Sequence, residues 1–151
     1  MGDWYRIEQA RVMTRNMGSK LKDASRELGA MFNVSPINNI REARSRLDYF
    51  AAFALAVAYI EYYTFGVLRK RLDKKAINKL KRKGASILIE ELLSKDKNRE
   101  ELYENIKRVI RERNKLIHSK DKIYNKYEYD EKRESLLDLT IECINELMDL
   151  V

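Results

Sequence analysis

The chain has 151 residues, of which 36% are charged and 44% hydrophobic, and its formal net charge is +7. This length suffices for one domain with a buried core, and the hydrophobic share excludes an intrinsically disordered chain. Five glycines and one proline provide little turn chemistry, so we predict an all-α fold: a helical bundle of about five helices with a long central helix.

The charge is unevenly distributed along the chain. Residues 1–127 include 29 basic and 16 acidic residues, whereas residues 128–151 include 2 basic and 8 acidic residues. A basic body is typical of proteins that bind a polyanion, and an acidic segment is repelled by the same partner. We therefore expect a polyanionic partner, with one face of the molecule kept away from it.

A first helix is predicted over residues 4–32. Two apolar series run along it at heptad spacing: Ile7, Thr14, Leu21 and Leu28, and Ala10, Met17, Ala24 and Met31. We predict that residues 1–34 form an N-terminal helical extension that packs on the core or on a dimer partner. Ser35 as N-cap and Pro36 at the first helical position then begin the bundle, residues 35–151.

A second, central helix is predicted from residue 36 to about residue 72. Its apolar and small residues keep the helical period: Ile40, Ala43, Leu47, Ala51, Ala54, Ala58 and Phe65. The segment 50–60 is the most apolar in the chain, but Glu61 interrupts it well before the roughly 20 residues that span a bilayer. We predict a buried core helix without membrane contact.

The segment 69–83 (RKRLDKKAINKLKRK), here called the basic strip, holds nine basic residues in fifteen positions. Such a run is usually a solvated face, but in a basic protein it is equally well interpreted as a surface that contacts RNA phosphates. Both interpretations remain open. The RNA-binding candidates within the strip are Lys79, Lys81, Arg82 and Lys83. Apolar residues then continue into a third helix, with Gly84 as a kink.

The next helix is predicted over residues 98–118. An apolar stripe runs along it, formed by Leu102, Ile106, Val109, Ile110, Leu116 and Ile117. Arg113 lies within this stripe, where a guanidinium is costly unless an anion meets it. His118 lies roughly 140° from Arg113 around an ideal helix, so the two side chains do not share a face.

The segment 119–130 (SKDKIYNKYEYD) lacks a helical stripe and mixes cations with tyrosines. That composition suits the stacking and holding of single-stranded RNA, although an ordinary connector is the simpler interpretation. Lys115, Lys120 and Tyr124 are the RNA-binding candidates around it. A last helix is predicted over residues 131–151, with Cys143 as a small core residue.

One histidine and one cysteine bound the chemistry of the chain. They cannot supply a metal-ligand cluster, and no glycine-rich phosphate loop is present, so neither metal nor cofactor is expected. A lone cysteine, and an N-terminus without the apolar stretch of a signal peptide, favour the cytoplasm. His118 is the only side chain of a type that titrates near neutrality. Residue types alone favour structural roles, in which Arg113 snorkels or meets a core carboxylate and His118 ends its helix.

The whole stretch RNKLIH at 113–118, late in an all-helical chain, resembles the Arg-polar-x-x-x-His signature of HEPN (higher eukaryote and prokaryote nucleotide-binding) domains. The resemblance implies a HEPN-like bundle over residues 35–151 and a metal-independent ribonuclease of toxin–antitoxin or other defence systems. Arg113 and His118 match the catalytic pair, and Asn114 matches the polar position. Lys120 stands where the subfamily paired with minimal nucleotidyltransferase antitoxins has tyrosine, which argues against that subfamily.

Cleavage of RNA by its own 2′-hydroxyl needs proton transfer and stabilisation of a charged phosphorane, tasks that suit a histidine and an arginine. One chain supplies one histidine, so a two-fold homodimer would supply two. The resemblance likewise implies a composite site at a dimer interface. Two alternatives remain: a non-catalytic RNA-binding or scaffolding subunit of a ribonucleoprotein, and a module whose basic body docks an acidic protein antitoxin.

Overall fold

A computed structural model of the chain describes residues 36–118 and 128–151. These residues form an all-α bundle without a β-strand, as predicted from the composition. The helices are α1 (Pro36–Ser45), α2 (Tyr49–Arg71), α3 (Lys74–Leu80), α4 (Ala85–Leu93), α5 (Glu100–His118) and α6 (Glu131–Leu150), with a 3₁₀ turn at Lys97–Arg99. The predicted N-terminal extension, Lys120 and Tyr124 lie outside the described residues.

The single helix predicted over residues 36–72 is wrong, because the chain folds back between α1 and α2. Asn39 Nδ2 on α1 donates a hydrogen bond to the Tyr59 hydroxyl on α2 at 3.1 Å, within the core. In one continuous helix these residues would lie roughly 30 Å apart. The reversal uses Leu47 in the left-handed region (φ 57°) and Asp48, which caps α2 by accepting from the Ala51 N–H.

Helix α2 is the centre of the bundle, as predicted. Every residue from 49 to 61 is buried, and α1, α4, α5 and α6 all pack against this helix. It is long and apolar enough to cross a membrane, but 83% of its most apolar window is covered by the rest of the fold. Such burial is typical of the core helix of a soluble protein.

The predicted kink at Gly84 is instead a break between two helices. Helix α3 begins at the N-cap Asp73, whose carboxylate accepts from the Ala76 N–H at 2.8 Å, and ends at Leu80. Gly84 is the N-cap of α4 and offers no side chain to the first turn of that helix. Helix α4 therefore needs a capping group from elsewhere in the fold.

Helix α6 is fastened to the α1–α2 reversal by a polar network. Arg44 on α1 forms ion pairs with Glu134 and with Asp138, the latter at 2.6 Å. The Tyr49 hydroxyl accepts from the Asp130 N–H at 3.0 Å and donates to Glu134 at 3.2 Å. These contacts fix the first turns of α6 beside α2 and α5, while Cys143, further along α6, is buried as predicted.

Candidate active site on helix α5

Helix α5 carries the RNKLIH stretch, and it is regular as far as His118. The predicted apolar stripe is confirmed: five of its six residues are buried, and Ile117 is partly buried against the core. Because the helix is unbroken between Arg113 and His118, the two side chains keep the separation of roughly 140° expected of an ideal helix. Within one chain the structure does not bring this candidate pair together.

Arg113 points along the buried side of α5 and is partly buried. Burial lowers the pKa of its guanidinium, and the charge of Glu61 on α2 offsets part of that effect. Glu61 forms neither an ion pair nor a hydrogen bond with Arg113, so it is not a direct partner of the guanidinium. The two groups interact through their electrostatic fields across the α2–α5 contact.

Glu61 itself is almost completely buried, with 1% of its surface exposed. Its Oε1 accepts from the Ala85 N–H at 3.1 Å, so it provides the cap that Gly84 cannot give to α4. Its Oε2 has no hydrogen-bond partner among the described residues. Burial raises the pKa of the Glu61 carboxyl to about 8, although Arg113 and the Ala85 N–H both oppose the rise.

Asn114 orients the arginine that precedes it. Arg113 Nε donates to Asn114 Oδ1 at 2.9 Å, which fixes the plane of the guanidinium. The two terminal nitrogens of Arg113 form no hydrogen bond with any described residue, so the charged fork remains available to an anion. The structure thus brings together two of the three predicted catalytic residues.

His118, the last residue of α5, is exposed. Lys115, one turn before it, is exposed as well and lies on the same side of the helix. The histidine is therefore accessible to a substrate or to a second protein molecule. The buried part of this chain does not use it.

All nine cations of the basic strip are exposed, including the candidates Lys79, Lys81, Arg82 and Lys83. None of the nine forms an ion pair with a residue in the described parts of the chain. The strip ends next to Ala85, whose N–H is held by Glu61.

The described residues include no group of three or more His, Cys, Asp or Glu side chains that could hold a metal ion. Neither the protein-family models, nor the curated proteins, nor the solved structures that were compared with this chain gave a match. The site therefore has to be interpreted from its own geometry.

Sequence reasoning missed Glu61 as a member of this site, although a signal was present. Between Asp48 and Arg69, Glu61 is the only charged residue in a segment of twenty. A lone carboxylate in an otherwise uncharged core helix calls for a buried partner, and Arg113 on a different apolar stripe calls for the same thing. In the structure, Glu61 and Arg113 interact with each other electrostatically.

Proposed function

We propose that this protein is a metal-independent endoribonuclease of HEPN type, cytoplasmic and belonging to a toxin or defence system, that cuts single-stranded RNA. The observation that carries the proposal is the arrangement on α5: an oriented Arg113 with an unengaged fork and an exposed His118. Support also comes from the resemblance of residues 113–118 to the family signature. No metal or cofactor takes part.

The two side chains suit the two demands of the reaction. The 2′-hydroxyl attacks the adjacent phosphorus as a histidine accepts its proton, and a second histidine donates a proton to the departing 5′-oxygen. The Arg113 guanidinium offers a planar pair of N–H donors to the negative charge that develops on the phosphorane oxygens. The products are a 2′,3′-cyclic phosphate and a 5′-hydroxyl.

Two protomers are needed to assemble this chemistry. Arg113 and His118 lie on different sides of one rigid helix, and each chain has a single histidine. A two-fold dimer supplies two histidines and two arginines across a shared cleft, so that the two histidines of the reaction come from different protomers. We therefore propose a homodimer with a composite site.

A second candidate is a non-catalytic RNA-binding or scaffolding subunit, which includes a subunit that docks an acidic antitoxin. The electrostatic effect of Glu61 on Arg113 favours it, because a buried acidic residue that acts on the arginine gives the arginine a structural task. Under this alternative the basic strip binds the polyanion and His118 is dispensable.

Replacing the two motif residues separates the candidates. His118→Ala should abolish most of the cleavage of a labelled single-stranded RNA, and Arg113→Ala should slow it by about 10²–10³. Arg113→Lys should restore only part of the rate, because an ammonium does not reproduce the planar fork. The wild-type rate should persist in excess EDTA.

Exposed Arg41 on α1 provides the control, since Arg41→Ala removes a guanidinium far along the chain from the motif. That variant should cleave at the wild-type rate. A folded His118→Ala protein that cuts RNA as fast as wild type would overturn the ribonuclease. If His118→Ala binds RNA normally and the wild type cuts none, the non-catalytic subunit is the correct function.

A further inference from the structure

A second charged feature lies on the side of α5 that faces away from Glu61. Helices α5 and α6 enclose a cavity of about 630 Å³, here called the α5–α6 groove. Its lining consists of Arg108, Arg111, Glu112, Lys115, Asp130, Lys132, Arg133 and Leu136. Five of these eight residues are cations, and only Leu136 is apolar.

The spacing of the residues on α5 places the groove beside His118. Arg108, Arg111, Lys115 and His118 fall within about 80° of one another around the helix axis. Like charges one turn apart repel each other and destabilise a helix slightly. Their alignment is understandable if an anion is bound in front of them.

The two carboxylates of the groove do not neutralise this row. Glu112 accepts from Arg133 Nε at 2.9 Å, and Asp130 lies 3.9 Å from the same guanidinium. Arg133 thus pairs with both carboxylates, and five cations against two carboxylates leave the lining a formal net charge of +3. Arg108, Arg111, Lys115 and Lys132 form no ion pair with any residue of the ranges 36–118 and 128–151.

The last helix, α6, is acidic overall, yet it contributes positive charge to the groove. Residues 128–151 contain eight acidic and only two basic residues, and both basic residues, Lys132 and Arg133, line this cavity. At the other end of the same helix pair a second cavity is lined by Glu101, Glu142 and Glu146 with a single cation, Arg99. The α5–α6 contact is therefore positive at the His118 end and negative at the opposite end.

We infer that the α5–α6 groove binds consecutive phosphates of a single-stranded RNA and leads the strand to His118. Pockets for small molecules are lined mainly by apolar and aromatic residues, whereas seven of the eight residues that line this groove are charged. Unpaired arginines and lysines in a row are the usual means of contacting a phosphodiester backbone. This inference rests on RNA as the partner in the proposed function, and it places the first turn of α6 beside the strand although the last helix is acidic overall.

The test measures RNA binding without cleavage. In a His118→Ala background, a labelled oligouridylate is titrated over a series of salt concentrations, and log affinity is plotted against log salt. Lys115→Gln with Lys132→Gln, one cation from each wall of the groove, should flatten the slope by about 1.4, since each lost contact to a single strand accounts for about 0.7. The thermal unfolding midpoint checks that both proteins are folded.

The matched control is Lys95→Gln with Lys97→Gln, which removes the same charge from two exposed sites near the acidic end of α5. It should leave the slope unchanged. Equal slopes for the groove variant and the control would overturn the inference, as would a wild-type protein that binds no oligouridylate. A polyglutamate chain that competes as well as RNA, and loses affinity with the groove variant, would assign the groove to an acidic protein instead.

RNA binding by the groove and RNA cleavage by the protein can each fail without the other. If the wild-type protein cuts no RNA but the groove variant has a flatter slope than its His118→Ala parent, the groove stands without the catalytic function. If cleavage depends on His118 while the groove variant keeps its slope, the ribonuclease stands and the strand follows another surface.

Discussion

At the scale of single residues, Glu61 has the most demanding environment described in this chain. Its carboxyl group lies inside an apolar core, accepts a hydrogen bond from the Ala85 N–H at the start of α4, and interacts electrostatically with the partly buried Arg113. A carboxyl group in that position carries a pKa raised by burial, which links its protonation to folding. The consequence is a measurable dependence of stability on pH.

We expect the free energy of unfolding to fall as pH rises from about 4.5 to about 8, at up to about 1.4 kcal/mol per pH unit from Glu61. The sign follows because the folded pKa lies above the unfolded one, so the folded state holds the extra proton in this window. Its contribution is complete below the unfolded pKa and is lost as pH approaches the folded pKa. Urea denaturation at both ends of the window measures it.

Glu61→Gln should remove this part of the slope, because glutamine retains an acceptor for the Ala85 N–H but cannot titrate. Exposed Glu91 on α4 provides the control, since Glu91→Gln changes the same charge without a buried carboxyl group. Identical slopes for wild type and Glu61→Gln would show that Glu61 does not couple folding to pH.

At the scale of secondary-structure elements, the helix ends carry much of the architecture. Asp48, Asp73 and Asp130 each cap a helix through a carboxylate oxygen, and Glu61 does so for α4 from a distance. These groups satisfy N–H donors that would otherwise be unpaired at the first turns. They decide where the chain can turn with few glycines or prolines.

Asp48→Ala should lower the free energy of unfolding by about 1 kcal/mol, because the central helix loses the side chain that accepts from the Ala51 N–H. Asp48→Asn is the matched control, since asparagine is an equally good N-cap and should preserve most of the stability. Thermal or urea denaturation of the three proteins compares them. An asparagine variant as unstable as the alanine variant would mean that the charge of Asp48, rather than its cap, stabilises the reversal.

The basic strip is a second candidate surface for binding RNA, and its role can be tested separately. If its cations contact RNA phosphates, Lys79→Gln, Lys81→Gln and Arg82→Gln together should flatten the log-affinity against log-salt slope by about 2 for single-stranded RNA. Arg41→Gln, Lys95→Gln and Lys97→Gln remove the same charge from other exposed sites and form the control. If the two triple variants have equal slopes, the strip is a solvated face.

At the scale of the whole molecule, the proposed site depends on a second copy of the chain. The rigid α5 helix places Arg113 within the electrostatic influence of Glu61 and leaves His118 exposed beside the α5–α6 groove. A single protomer therefore presents the charge-stabilising group and the proton-transfer group in different directions. A dimer resolves this by pairing groups from two chains.

Mixing wild-type and His118→Ala proteins should lower the cleavage rate below that of the wild-type chains alone, because each mixed dimer lacks one of the two histidines that the composite site needs. The measurement is the cleavage rate after the subunits have exchanged, compared with the same amounts of the two proteins assayed separately. Light scattering should give the mass of a dimer. A purely monomeric protein at micromolar concentration, or a mixture as active as its wild-type chains alone, would contradict the composite site.

The sequence by itself determined the helical class, the central apolar helix and the stripe of α5, because helical periodicity is a property of neighbouring residues. It also determined that Arg113 and His118 diverge, since five residues along any α-helix turn through roughly 140°. These features need no knowledge of what packs against what.

Only the tertiary structure decided the reversal between α1 and α2, the electrostatic interaction of Glu61 with Arg113 and the charged walls of the α5–α6 groove. Local spacing continues unbroken through residues 45–48, so the turn is detected by the Asn39–Tyr59 hydrogen bond, which joins positions twenty residues apart. Likewise, the packing of α2 against α5 decides which acidic residue interacts electrostatically with Arg113. Contacts between distant segments are selected by the packing of whole faces, which local periodicity cannot specify.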